Sequence, residues 1–151
     1  MQTRRKTLKQ SMAVASLLAA TGLFPRDAFA FNKVAFEARS IADVTKAYGA
    51  GAPTESKDVT LTAPDIAENG AVVPMAVASS LPGVKHLLVL VERNPSALVA
   101  KFDVTDAVEA NFSTRAKMGQ TSDVYAVAIT NDGKALYAKK EVKVTLGGCG
   151  G

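Results

Sequence analysis

The 151-residue chain carries 18 basic and 14 acidic residues, is 48% hydrophobic, and has one histidine, one cysteine and no tryptophan. Five of the basic residues and one acid lie in the first thirty, so the other 121 residues hold thirteen of each and no net charge, which excludes the basic footprint that attracts nucleic acid or anionic membrane. One cysteine excludes an intrachain disulfide and one histidine a multi-histidine metal site, while 121 residues can bury one core without staples.

Thr3–Gln10 reads TRRKTLKQ, with Arg4 and Arg5 paired. A mildly apolar run from Met12 to Phe24 follows, then Pro25 and the small-residue stretch Ala28-Phe29-Ala30. A charged start, a short apolar run and a small-residue end form the pattern of a twin-arginine export leader cleaved after Ala30. The competing reading is an amphipathic N-terminal helix with a basic start. The run is too short for the roughly 20 residues that a membrane-spanning helix needs, and Phe31 instead of a cysteine directly after Ala30 argues against a lipid anchor. The expected division is a leader at 1–30, a folded body at 31–146 and a tail at 147–151, located in the periplasm. The twin-arginine route carries folded proteins, so a passenger subunit lacking its own leader is a natural reason to use it.

In the body, Val34, Ala38, Ile41, Val44 and Tyr48 fall at helical spacing, and Gly49 stands where helices commonly stop, so residues 31–49 are expected to form one amphipathic helix. AGAPTES (50–56) is a small-residue linker. From Lys57 the pattern becomes that of strands. Val59 and Leu61 alternate with polar neighbours, and AVVPMAVASS (71–80) is apolar with Pro74 inside it, which points to an edge strand or a bulge. VKHLLVLVE (84–92) is apolar on both faces and should be central. ALVAKFDV (97–104) places Leu98, Ala100, Phe102 and Val104 on one face, with Lys101 and Asp103 on the other. NFSTRAKM, DVYAVAIT and KALYAKKEVKVTL complete the set. Turn signals at Asn69-Gly70, Pro82-Gly83, Asn94-Pro95 and Asn131-Asp132-Gly133 separate the runs. About seven strands at this spacing predict an all-β, immunoglobulin-like antiparallel sandwich preceded by a helix.

Catalytic constellations are scarce. His86 sits inside the most apolar strand, with no nucleophile near it in sequence, and reads as a strand histidine on a solvated or interface face. Asp103, Asp106 and Glu109 read as a solvated loop or short helix, Met75 and Met118 as packing or partner-surface residues. ENGA (68–71) lacks phosphate-loop spacing. No catalytic residue, metal site or cofactor is assigned, and the chain is not expected to be an enzyme by itself.

The last ten residues, VKVTLGGCGG, hold the only thiol. Glycine lacks a Cβ and visits both signs of φ, so Gly147, Gly148, Gly150 and Gly151 leave Cys149 unhindered and without a fixed local conformation. Three extended residues beyond Leu146 reach about 10 Å, enough to thread a narrow cleft on another protein. No cation adjoins Cys149 in sequence, so its thiol has little to activate it, which suits a handle that other enzymes modify. Three alternatives stand beside that reading: an incidental cysteine, a disulfide tether joining an exported sandwich module to a second chain, and a diglycine thiocarboxylate carrier of ubiquitin-like kind. The last would leave Cys149 superfluous.

The leader, APDIAENGAVVPM, ERNPSALVAKFDV, STRAKMGQTSDVYAVA and above all VKVTLGGCGG resemble SoxY, the Y-subunit family of periplasmic Sox thiosulfate oxidation, over essentially the whole chain. The resemblance implies an immunoglobulin-like sandwich paired with a SoxZ-like subunit. It implies Cys149 as the covalent attachment point for sulfur intermediates, on a swinging arm of Gly147, Gly148, Gly150 and Gly151. It further implies a haem cytochrome that couples thiosulfate to the thiol, a dimanganese hydrolase that releases sulfate, and either enzymes that oxidise the remaining sulfane sulfur or its storage in sulfur globules. Cofactors then belong to those partners and none to this chain.

Overall fold

A computed structural model of the protein describes residues 32–146. The chain divides into the units Met1–Asn32 and Lys33–Gly151, and the second contains all the elements below. Nine strands follow two short helices: β1 Thr54–Glu55, β2 Val59–Thr62, β3 Ile66–Asn69, β4 Val73–Ser79, β5 Val84–Val91, β6 Leu98–Asp103, β7 Asn111–Ala116, β8 Ser122–Thr130 and β9 Ala135–Leu146. One sheet runs β1-β9-β8-β5-β6, with β3 also on β9, and the other runs β2-β4-β7.

Alternation makes this a sandwich. Val59, Val73, Met75, Val77 and Ala116 of the smaller sheet meet Leu87, Val89, Val91, Val124, Ala126, Ala128 and Val142 of the larger one in one buried cluster. Each large aliphatic side chain so buried contributes about 1.5–3 kcal/mol. Met118 is fully buried with them and Met75 nearly so, which makes both packing residues. Phe102 and Phe112 stack at 4.5 Å between centroids and 3° between planes, closing the sandwich where β6 faces β7. β5 is central, between β8 and β6, and its other face, Leu88 and Leu90, is also covered. The expected sandwich is thus what forms.

The differences have identifiable causes. The single helix expected over 31–49 is two, α1 Lys33–Glu37 and α2 Ile41–Ala47. Ser40 is extended at φ −131° and ψ 156°, and its side chain accepts from the Asp43 amide as an N-cap. Upstream, the Phe36 carbonyl accepts from Ser96 Oγ and the Ala38 carbonyl from the Ala97 amide, so α1 ends against the β5–β6 connection instead of continuing. Gly49, at φ +71°, ends α2 as expected.

The strands number nine because two short ones lie in segments read as linker or left unassigned. β1 falls inside AGAPTES and β3 within APDIAEN, and both pair with β9 in parallel. The sandwich is therefore mixed along that edge. Pro74 lies in a strand that is central in its sheet, not at an edge. β2 ends with Thr62 opposite Ala76, so at Pro74 only β7 remains alongside, and the missing amide is tolerated locally. Leu98 does not share a face with Ala100 and Phe102. A register shift between Val89 and Leu90 on β5 turns Leu98 toward the helices, where it packs with Leu88, Leu90 and Val127.

Candidate functional site: the root of the glycine-cysteine tail

Cys149 and its flanking Gly147, Gly148, Gly150 and Gly151 lie outside the described residues, as do Arg4, Arg5 and Ala30. The structure does describe the strand from which the tail springs. β8 accompanies β9 only as far as Val142, which is opposite Ser122. Lys143–Leu146 run past that last pair and are held by other means.

β3 supplies most of that hold. Ile66 pairs with Lys143, Ala67 with Val144 and Asn69 with Leu146. The Lys143 amide donates to the Asp65 carbonyl at 2.9 Å, and the Gly70 amide donates to the Leu146 carbonyl at 2.8 Å. Thr145 Oγ1 donates to the Glu68 carbonyl at 3.1 Å. On the side β8 has vacated, the Val144 amide donates to Thr121 Oγ1 at 3.0 Å. The Asn69-Gly70 turn is itself pinned, by the Met118 amide on the Gly70 carbonyl at 2.7 Å and the Ala71 amide on Asn69 Oδ1 at 2.9 Å. Lys140 Nζ reaches the Ala63 carbonyl at 2.7 Å and Asp65 Oδ1 at 2.9 Å, fixing the approach to β3.

Apolar surface gathers here. Of five exposed large hydrophobic residues among those described, Ile66 (56%), Val72 (56%) and Leu146 (70%) belong to β3, the turn after it and the end of β9. A second surface feature, an open groove lined by Thr62, Pro74, Ala76, Ser113 and Arg115, runs along β4.

A polar cluster stands apart from the tail root, where α2 ends over β5 and β6. His86 Nδ1 is 2.6 Å from Asp103 Oδ1, and Lys101 Nζ lies 2.8 Å from the same oxygen. The Tyr48 ring is 5.3 Å from that of His86. Burial works against ionisation of Asp103, yet the bond and charge of Lys101 and the bond from His86 outweigh it and hold the carboxyl below its ordinary range. An ionised carboxylate only accepts, so Nδ1 carries the proton. Burial lowers the His86 pKa, and the bond to Asp103 only partly opposes it. With a side chain only 14% exposed, His86 is packed under α2, which departs from the solvated half of the expectation of a solvated or interface face. Asp106 and Glu109 are exposed, as read. Among the described residues no group of three His, Cys, Asp or Glu could hold a metal ion, and no helix is long and apolar enough to cross a membrane.

Sequence reasoning passed over the residues that hold the tail root. Asn69-Gly70 was legible as a turn but not as an anchor, and Thr121 carried no signal, because its role depends on where β8 stops.

The model of the family described as sulfur oxidation protein SoxY matches residues 44–149, a span that reaches Cys149. The sulfur carrier protein SoxY from Chlorobium limicola f thiosulfatophilum is 37% identical at a TM-score of 0.61, covering 68% of this chain and 93% of that one. A superoxide reductase (neelaredoxin) variant from Ignicoccus hospitalis shares the fold alone, at 16% identity and a TM-score of 0.51, over 57% of this chain and 78% of that one. No curated protein matches the chain. The resemblance read from the sequence is borne out: the chain belongs to the SoxY family of sulfur oxidation proteins.

Proposed function

We propose that the chain is a covalent sulfur carrier of thiosulfate oxidation, with Cys149 as the attachment site and Gly147, Gly148, Gly150 and Gly151 as its arm. The observation that carries this is the family match extending to Cys149, supported by 37% identity to a protein named as a sulfur carrier. The thiol forms an S–S bond to the sulfane sulfur of thiosulfate, while two electrons pass to a haem cytochrome and the thiol proton to solvent. A dimanganese hydrolase adds water across the terminal sulfonate, releases sulfate and leaves a persulfide on Cys149, which further enzymes oxidise. The chain performs none of these reactions. It presents the sulfur.

In this reading residues 1–30 are a twin-arginine leader with Arg4 and Arg5 as its signal, cleaved after Ala30, and the body works in the periplasm as the partner of a SoxZ-like subunit. Apolar Ile66, Val72 and Leu146 around the tail root suit burial against an enzyme that takes in the arm. The test is complementation of a strain that lacks the gene. Cys149→Ser protein is expected to accumulate and fold as wild type yet fail to restore growth-linked thiosulfate oxidation. Restored oxidation would overturn the assignment of Cys149.

A further inference from the structure

β9 outruns its neighbour β8 by four residues. Pairing with β8 stops at Val142, yet the strand continues to Leu146. An unsupported strand end frays, since ordering its backbone loses conformational entropy that bonds must offset. Here the bonds exist and converge on that end: three register positions of β3, the Gly70 amide on the Leu146 carbonyl, and two side-chain hydroxyls, Thr145 on the Glu68 carbonyl and Thr121 under the Val144 amide. β3 has four residues, and β9 is the strand it pairs with. Its Asn69-Gly70 turn is in turn tied to Met118.

We propose that β3, Thr121 and Thr145 form a clasp that sets the pivot of the carrier arm at Leu146, with the two threonines as positioning residues. The inference rests on the reading of Cys149 as the carrier thiol and gives that reading a dimension. From Leu146 the thiol is three residues away and reaches about 10 Å; from Val142 it would be seven residues away and reach about 24 Å. For a flexible chain the spread of positions grows as the square root of length, so releasing the clasp widens it about 1.5-fold. A wider spread lowers the local concentration of the thiol at any one cleft. The clasp therefore trades reach for aim.

The test is double electron–electron resonance between a nitroxide on Cys149 and one on Thr60→Cys, an exposed position on β2. Combining Thr121→Val with Thr145→Val removes both hydroxyls and is expected to broaden the distance distribution toward the 1.5-fold limit, with faster hydrogen exchange at the Val144 amide. Thr121→Ser with Thr145→Ser keeps both hydroxyls and is expected to retain the wild-type width. Thr145→Val alone alters one exposed side chain and gives an intermediate width without endangering the core. Equal widths in all variants, or serine variants as broad as the valine ones, would overturn the clasp. The measurement needs no sulfur cargo. A sulfur adduct on Cys149 with unchanged widths would thus leave the carrier standing and remove the clasp, and a clasp without adducts would do the reverse.

Discussion

Tyr48 follows α2 directly, and its buried hydroxyl finds no hydrogen-bond partner among the described residues. Burial, and secondly the charge of Asp103, raises its pKa. A buried, unpaired hydroxyl costs about 1–3 kcal/mol. Tyr48→Phe is therefore expected to stabilise the protein by about 1 kcal/mol, raising Tm by about 4 °C. A fall in Tm would show that the hydroxyl makes a bond. Its neighbour His86 gives the fold a pH dependence. Its folded pKa lies below the ordinary 6.5, chiefly through burial. Between 6.5 and the folded value the unfolded chain binds more protons, so stability is full above about pH 6.5 and falls as pH drops through that window. The lowered Asp103 pKa acts elsewhere, being lost only at pH values below its ordinary 3.8. Urea midpoints should be lower at about pH 5 than at about pH 7.5, and His86→Gln should flatten the difference. Because His86 is the only histidine, one imidazole NMR titration checks the sign, and a midpoint above 6.5 would contradict it.

Among the elements, α2 depends on Ser40, whose Oγ accepts from the Asp43 amide at 3.1 Å and donates to Asp43 Oδ2 at 2.7 Å. Ser40→Ala is expected to cost about 1 kcal/mol, read as a lower urea midpoint at unchanged slope. An unchanged midpoint would mean that packing of Val44 alone holds the helix. This helix break was half legible. The 3.6-residue period of Val34, Ala38, Ile41 and Val44 persists across it, so periodicity announced one helix. The signal for two was Ser40 followed three residues later by an acid, and the decisive cause, capture of the Phe36 and Ala38 carbonyls by the β5–β6 connection, is non-local. The long strands were legible because β5 and β8 are near-continuous apolar runs and Val142, Val144 and Leu146 alternate with polar residues along β9. β1 and β3 were not, since two to four residues carry too little alternation and their partner, β9, is remote in sequence. The Leu98 reversal was likewise hidden, because a bulge is a property of a strand pair.

At the scale of the molecule, the body offers a closed core and one edge of β9 covered by β1 and β3, with no multi-acid metal cluster among the described residues. In the proposed reading the chemistry resides in the tail, and the tail was the most legible part of the sequence. A lone thiol between paired glycines stands out by composition, whereas its anchorage at β3 and Thr121 required coordinates. If Cys149 carries sulfur, the cargo should be found on it. Intact-mass spectrometry of the protein from cells grown on thiosulfate, before and after reduction and beside Cys149→Ser, tests it most directly. Reducible additions of thiosulfate or sulfane-sulfur mass are expected on the wild type and not on the variant. A wild-type protein found only as the unmodified monomer, or only as a reducible dimer, would contradict the carrier reading.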